Sequence, residues 1–121
     1  MTIKVSNIGS AQAALNDALR DINVESELLL NVIITGIERY AKLYVPIGET
    51  SNLINSFYRT TMMTPIGPTG EVGFRADYAV YVHEGPQKNW QRPGASNRFL
   101  ELGVRDYIQD DLQSDIARFQ P

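Results

Sequence analysis

The residues with the most chemical reach gather in one stretch, YAVYVHEGPQKNWQRPGASNRFLELGVRD, Tyr78 to Asp106. It holds the only histidine, His83, and the only tryptophan, Trp90. His83 beside Glu84 is a pair that could bind a metal ion or move a proton. In a strand, however, adjacent side chains point to opposite faces and do not converge. A helical zinc motif needs a second histidine four residues away, and none exists. Ser, His and Asp all occur, but no nucleophile elbow surrounds any serine. The structural alternative is that His83 ends a strand and hydrogen-bonds the following loop.

Trp90 lies in the polar run QKNWQRPG, where no periodicity buries it. Lys88 and Arg92 flank it. Either Trp90 stacks on Arg92 within the loop, or it anchors an interface, where Trp and Arg dominate binding energy. Arg98 opens the last helical pattern, where a cation opposes the helix dipole; a partner's carboxylate would explain its presence. Asp106 and Asp110 share a helical face and could ligate a cation, but a solvated face is by far the better explanation. The run GPTGEVG lacks the Lys-Ser/Thr of a phosphate loop and reads as a hairpin turn.

The elements that must position these residues form a single domain over 1–121. Hydrophobic content of 43% and charged content of 21% support a packed core and argue against global disorder. The chain has no cysteine, which removes disulfide and thiolate-metal frameworks and favours a reducing compartment such as the cytosol. The start MTIKVSNIGS has no apolar run suited to a signal peptide. LLLNVIITGI is too short to span a bilayer, so no membrane role is expected. Eleven basic and fourteen acidic residues give a net charge of −3. They are spread along the chain without the basic stripe that tight nucleic-acid binding requires.

Apolar residues at Ala11, Ala14, Leu15, Ala18, Leu19, Ile22, Leu29, Val32, Ile33, Ile37, Tyr40 and Ala41 predict a long N-terminal helix over 10–44, with weak points at Asn23-Val24 and Gly36. Pro46 and Gly48 end it. Thr50 or Ser51 caps a short helical segment over 52–56. Tyr58 to Thr64 reads as a strand, TPIGPTG as a turn, Glu71 to Ala76 as an alternating strand, and Tyr78 to His83 as a strand apolar on both faces. A loop over 84–96 follows. Ser96 or Asn97 then caps a final helix with the stripe Phe99, Leu100, Val104, Tyr107, Ile108, Leu112, Ile116 and Phe119. Asp106, Asp110, Asp111 and Asp115 are expected mostly towards solvent. The class is α+β: a long N-terminal helix, a small antiparallel sheet of three or four strands, and a C-terminal helix packed on it.

The order VPIGETSNLINSFYRT, a hairpin, YAVYVHEGP and RPGASNRFLELGV resembles the neck or tail-completion proteins of long-tailed bacteriophages, the family of the Hong Kong phage minor tail-component protein. Pro46, Thr50, Leu53 and Ser56 fit that family's first segment, and Tyr78, Ala79, Tyr81, Val82, His83 and Gly85 its second. Phe99 and Leu100 fit its third. Ser51, Pro86 and Arg98 depart from it, standing where Gly, Thr or Ser, and Pro are usual. The resemblance spans about residues 40–105.

The resemblance implies a non-enzymatic virion protein without cofactor or metal, assembled in the host cytoplasm. It would form a ring of six or twelve copies at the head–tail junction. Its partners would be the head-side connector or head-closure protein and the tail terminator or tail tube protein. DNA would pass through the lumen without sequence-specific binding, and mild acidity suits such passage. The loop 84–96 would dock on a neighbouring ring, with His83, Glu84, Lys88, Trp90, Arg92 and Arg98 as candidate contacts. Other readings are a tail terminator or head-closure protein, a small cytosolic ligand-binding domain or enzyme built on His83 and Glu84, and a host-encoded interaction module.

Overall fold

The computed structural model describes residues 2–5, 9–20, 26–45, 52–76, 79, 83 and 98–119. Its elements in chain order are β1 (Thr2–Val5), α1 (Gly9–Leu19), α2 (Glu27–Tyr44), α3 (Asn52–Asn55), β2 (Phe57–Thr64), β3 (Gly67–Phe74) and α4 (Phe99–Tyr107). A π-helical turn over Ile108–Leu112 joins α4 to α5 (Gln113–Phe119). The class is α+β, as expected.

The single long helix expected over 10–44 is two helices, α1 and α2. Ser26 starts α2: its hydroxyl accepts the Leu29 N–H at 3.3 Å and its carbonyl the Leu30 N–H at 3.1 Å. Leu29, Leu30, Ile33, Ile34, Ile37 and Ala41 follow at steps of one, three and four and are fully buried. Glu27 in the first turn and Lys42 in the last complement the dipole. Val45 is extended because Pro46 follows it, which ends the helix.

Gly36 does not break α2. It lies under the Tyr107 ring, where a Cβ would overlap ring carbons. Gly103 meets the Ala41 backbone in the same way. These two glycines let α2 and α4 approach closely, and this helix pair carries much of the core. The C-terminal helix therefore packs mainly on α2 and α1 rather than across the sheet, which it meets through Phe99 and Phe74 at 5.1 Å.

The sheet has the order β1-β3-β2 and is mixed rather than antiparallel. β1, an N-terminal strand the sequence reading omitted, runs parallel to β3 with Ile3 opposite Gly70 and Val5 opposite Val72. β2 and β3 form a hairpin as expected, but its turn is Pro65 and Ile66 alone: Gly67–Gly70, read as turn, already pairs with β2 as the start of β3, and the strand ends at Phe74. Gly67 takes φ of 114°, which glycine allows without strain. Ile3, Val5 and Val72 face the helices and are buried, while Lys4 and Glu71 pair at 3.7 Å on the outer face.

The expected strand over Tyr78–His83 is not formed at its two described positions: Ala79 and His83 are both helical. They stand four apart and are buried at 2% and 0% exposure, the pattern of one helix face. None of the described helices is long and apolar enough to cross a membrane.

Candidate functional site

Of the described residues that carry the resemblance, His83, Phe99 and Leu100 meet at the N-terminal end of α4, while Pro46, Thr50, Tyr78, Tyr81, Val82 and Gly85 lie outside the described residues. Leu53, Ala79, Phe99 and Leu100 are buried there or in the adjoining core. The Ser56 hydroxyl donates to the Leu53 carbonyl at 2.7 Å and closes α3 locally. Phe57, Phe74, Phe99 and His83 form a run of edge-to-face rings, with centroid distances of 5.3, 5.1 and 5.0 Å. This run ties the hairpin to the start of α4.

Helix α4 begins without a side-chain cap of its own. Its N-cap residue is Arg98, whose side chain cannot accept a hydrogen bond. His83 supplies the missing acceptors. Its carbonyl accepts the Arg98 N–H at 2.9 Å, and its imidazole Nε2 accepts the Glu101 N–H at 3.2 Å. A ring nitrogen that accepts is unprotonated, so the imidazole is neutral in this arrangement. His83 is wholly buried, so its ring offers no surface to a partner. It holds a helix end in place.

Arg98 is the one described non-glycine residue with positive φ, at 57° with ψ of 30°. A proline, usual here in the resembling family, cannot reach that φ. The Arg98 guanidinium finds a carboxylate within its own helix: Nη1 lies 3.1 Å from Glu101 Oε2. Arg105 Nη2 lies 3.0 Å from Glu101 Oε1. The side chain of Glu101 is nearly buried, while both arginines are more than half exposed. The site therefore presents two surface cations fixed by one carboxylate, a geometry suited to meeting an acidic surface. Sequence reasoning passed over Glu101. Its signal was the spacing Arg98, Glu101, Arg105, which places both cations within reach of it on one helix.

Glu84, Lys88, Trp90 and Arg92, read as candidate contacts, lie outside the described residues, as do Thr50, Ser51 and the loop 84–96. Among the described residues no group of three His, Cys, Asp or Glu side chains is placed to hold a metal ion.

A second polar assembly joins α2 to the C-terminal helices. The Tyr40 hydroxyl donates to Asp111 at 3.0 Å, and Arg39 pairs with the same carboxylate at 2.6 Å. Tyr44 donates to Asp106, and Tyr107 to Asp115 at 2.7 Å. Arg118 pairs with Asp115 at 2.8 Å. Of the four aspartates expected towards solvent, Asp115 is buried, Asp106 and Asp111 are half-buried, and only Asp110 is exposed. Burial and the bond to Asp115 push the Tyr107 hydroxyl far above the usual tyrosine range. Burial and Asp111 raise Tyr40, and the bond to Asp106 together with burial raises Tyr44.

The π turn produces this arrangement. Tyr107 and Leu112, five residues apart, are both in the core. A continuous α-helix would bring Asp111 inward below Tyr107 instead. The wider turn takes up one extra residue, so Leu112 fills the core and Asp111 reaches Arg39 and Tyr40.

Comparison of the chain with family models, curated proteins and solved structures finds no match.

Proposed function

We propose that this protein is a structural component of a tailed-phage virion. In this reading six or twelve copies form a ring at the head–tail junction. One side meets the head-side connector or head-closure protein, and the other meets the tail terminator or tail tube protein. DNA passes through the lumen, and the ring performs no catalysis.

One observation supports this reading most. Five of the described motif residues that carry the family resemblance, Leu53, Ala79, His83, Phe99 and Leu100, are buried framework. His83 fixes the start of α4, which immediately follows the loop expected to dock. His83, the residue an enzyme would use first, accepts backbone N–H from α4. Arg98 and Arg105 stand at the surface beside it, ready for interface pairing. The function is then interface matching: each subunit adds a rigid frame to a closed ring, and the loop meets the neighbouring ring when head and tail join.

An antibody raised against the purified chain, applied to intact virions and followed by electron microscopy, tests the placement. Label at a single position between head and tail is expected. Label absent from virions, or spread along the tail, would reject it.

A further inference from the structure

The two edges of the sheet are treated differently. The outer edge of β1 is closed by Gln12 of α1. Its side-chain Oε1 accepts the Val5 N–H at 2.6 Å, and its Nε2 donates to the Ile3 carbonyl at 2.9 Å. The amide thus occupies the place of a neighbouring peptide group and blocks further pairing there. β2 is the other edge, and among the described residues nothing pairs with its outer side.

The direction of its backbone groups follows from the hairpin. The Arg75 N–H donates to the Ser56 carbonyl at 2.8 Å, so Ser56 and, by alternation, Tyr58, Thr60, Met62 and Thr64 bond inward to β3. Pro68, which has no N–H, stands opposite Met63 in agreement with this phase. Phe57, Arg59, Thr61 and Met63 therefore direct their N–H and C=O groups outward. Met62 and Met63 are 60% and 54% exposed, and Ile66 at the hairpin tip is 82% exposed. The strand carries no proline, lysine or bulge to guard it.

We propose that β2 pairs antiparallel with β2 of a second copy of this chain, centred on Thr60, to make a continuous six-stranded sheet. Because Gln12 closes β1, a head-to-tail sheet through β1 is excluded, and a sheet continued between two copies joins β2 to β2. Outward-facing residues must oppose outward-facing residues, which leaves few registers. Centring on Arg59 sets that cation against its own mate. Centring on Thr61 or beyond brings Pro65 of the turn opposite the strand. Centring on Thr60 sets Phe57 against Met63 and Tyr58 against Met62, so aromatic rings cover both exposed thioethers. Arg59, already paired with Glu38 at 3.6 Å, then faces Thr61, and Thr60 faces Thr60. The contact is isologous and closes on itself. In a ring whose two faces meet different partners every contact is head-to-tail, so this two-fold pair belongs to the chain before ring assembly, and it does not depend on the phage reading.

The chain contains no cysteine, so an introduced one reports on a single contact. In the proposed register the two Thr60 residues form a non-hydrogen-bonded pair about 4.5 Å apart at Cα, within disulfide reach. Mild oxidation of Thr60→Cys is expected to give a covalent dimer. Tyr58→Cys, whose mate lies four residues away along the strand, is expected to give none. Sedimentation of the unmodified chain over a concentration series is expected to show a monomer–dimer equilibrium. Thr61→Pro removes an outward N–H without touching β3 and is expected to be monomeric, with circular dichroism and Tm close to the parent. A parent chain monomeric throughout, or cross-linking of Thr60→Cys no faster than of Tyr58→Cys, overturns the proposal. If the parent is monomeric and Thr61→Pro instead abolishes binding to a different protein, the edge serves that protein, and the proposal is equally wrong.

Discussion

The imidazole Nε2 of His83 accepts the backbone N–H of Glu101 at 3.2 Å, across 18 residues of sequence. A helix whose own N-cap residue offers no acceptor is thus capped by a side chain from another element. The bond explains a buried histidine without chemistry, and it fixes where α4 starts relative to the sheet.

Removing that acceptor has a definite cost. His83→Phe fills much of the same volume but leaves the Glu101 N–H buried without a partner, so a loss of about 1–3 kcal/mol is expected. His83→Ala adds a cavity and is expected to lose more, about 2–5 kcal/mol. Urea unfolding of both variants checks the order. Equal stability of His83→Phe and the parent would show that the bond contributes nothing.

The fold was legible where local pattern decided the outcome. The apolar spacing of Leu29 to Ala41, the Val72 alternation and the Phe99–Leu112 stripe all marked their elements. β1 was missed because four residues carry too little periodicity, and its partner Thr69–Val72 is far away in sequence. The stretch around Ala79 and His83 read as a strand because Tyr and Val favour strands. Its apolar neighbours masked the four-residue spacing that burial of these two residues reveals. Asp111 and Asp115 looked solvated because their tyrosine partners could not be inferred from charge pattern, and the π turn that redirects Asp111 has no simple sequence mark. At the site, His83 was singled out but not its partner Glu101, since a backbone N–H carries no side-chain signature.

The tyrosine–aspartate seam predicts alkaline sensitivity. Tyr107 ionises in the folded chain only well above the usual tyrosine range, whereas in the unfolded chain it ionises near pH 10. The folded state therefore holds its proton more tightly. Stability from this group is fully present below about pH 10 and falls as pH rises beyond it. Chemical unfolding between pH 9 and 11.5 should show this decline, and Tyr107→Phe should flatten it. A slope unchanged in the variant would refute the assignment.

The close approach of α2 and α4 makes two glycines unequal. Gly103→Ala drives a methyl into the Ala41 backbone, which cannot yield, so a loss of about 3 kcal/mol or more is expected. Gly36→Ala meets the Tyr107 ring, a side chain. Its cost should shrink in a Tyr107→Leu background, while that of Gly103→Ala should not. Thermal unfolding of the six chains, the parent, Tyr107→Leu and each glycine variant in both backgrounds, decides this; rescue of both glycine variants would contradict the packing described.

Arg98 links stability to assembly. Its left-handed backbone favours glycine, and without the half-exposed Arg98 guanidinium the nearly buried Glu101 carboxylate still keeps Arg105 at 3.0 Å. Arg98→Gly should therefore leave the isolated chain as stable or slightly more so. If Arg98 meets a partner carboxylate at the junction, the same change should lower the yield of joined virions. Unchanged assembly would remove Arg98 from the interface.

The central claim, a ring that joins head to tail, is tested most directly by a nonsense mutation early in this reading frame of the phage that carries it, with electron microscopy of the lysate. Filled heads lying beside complete but separate tails are the predicted result. Normal, joined and infectious virions in the absence of the protein would contradict the account.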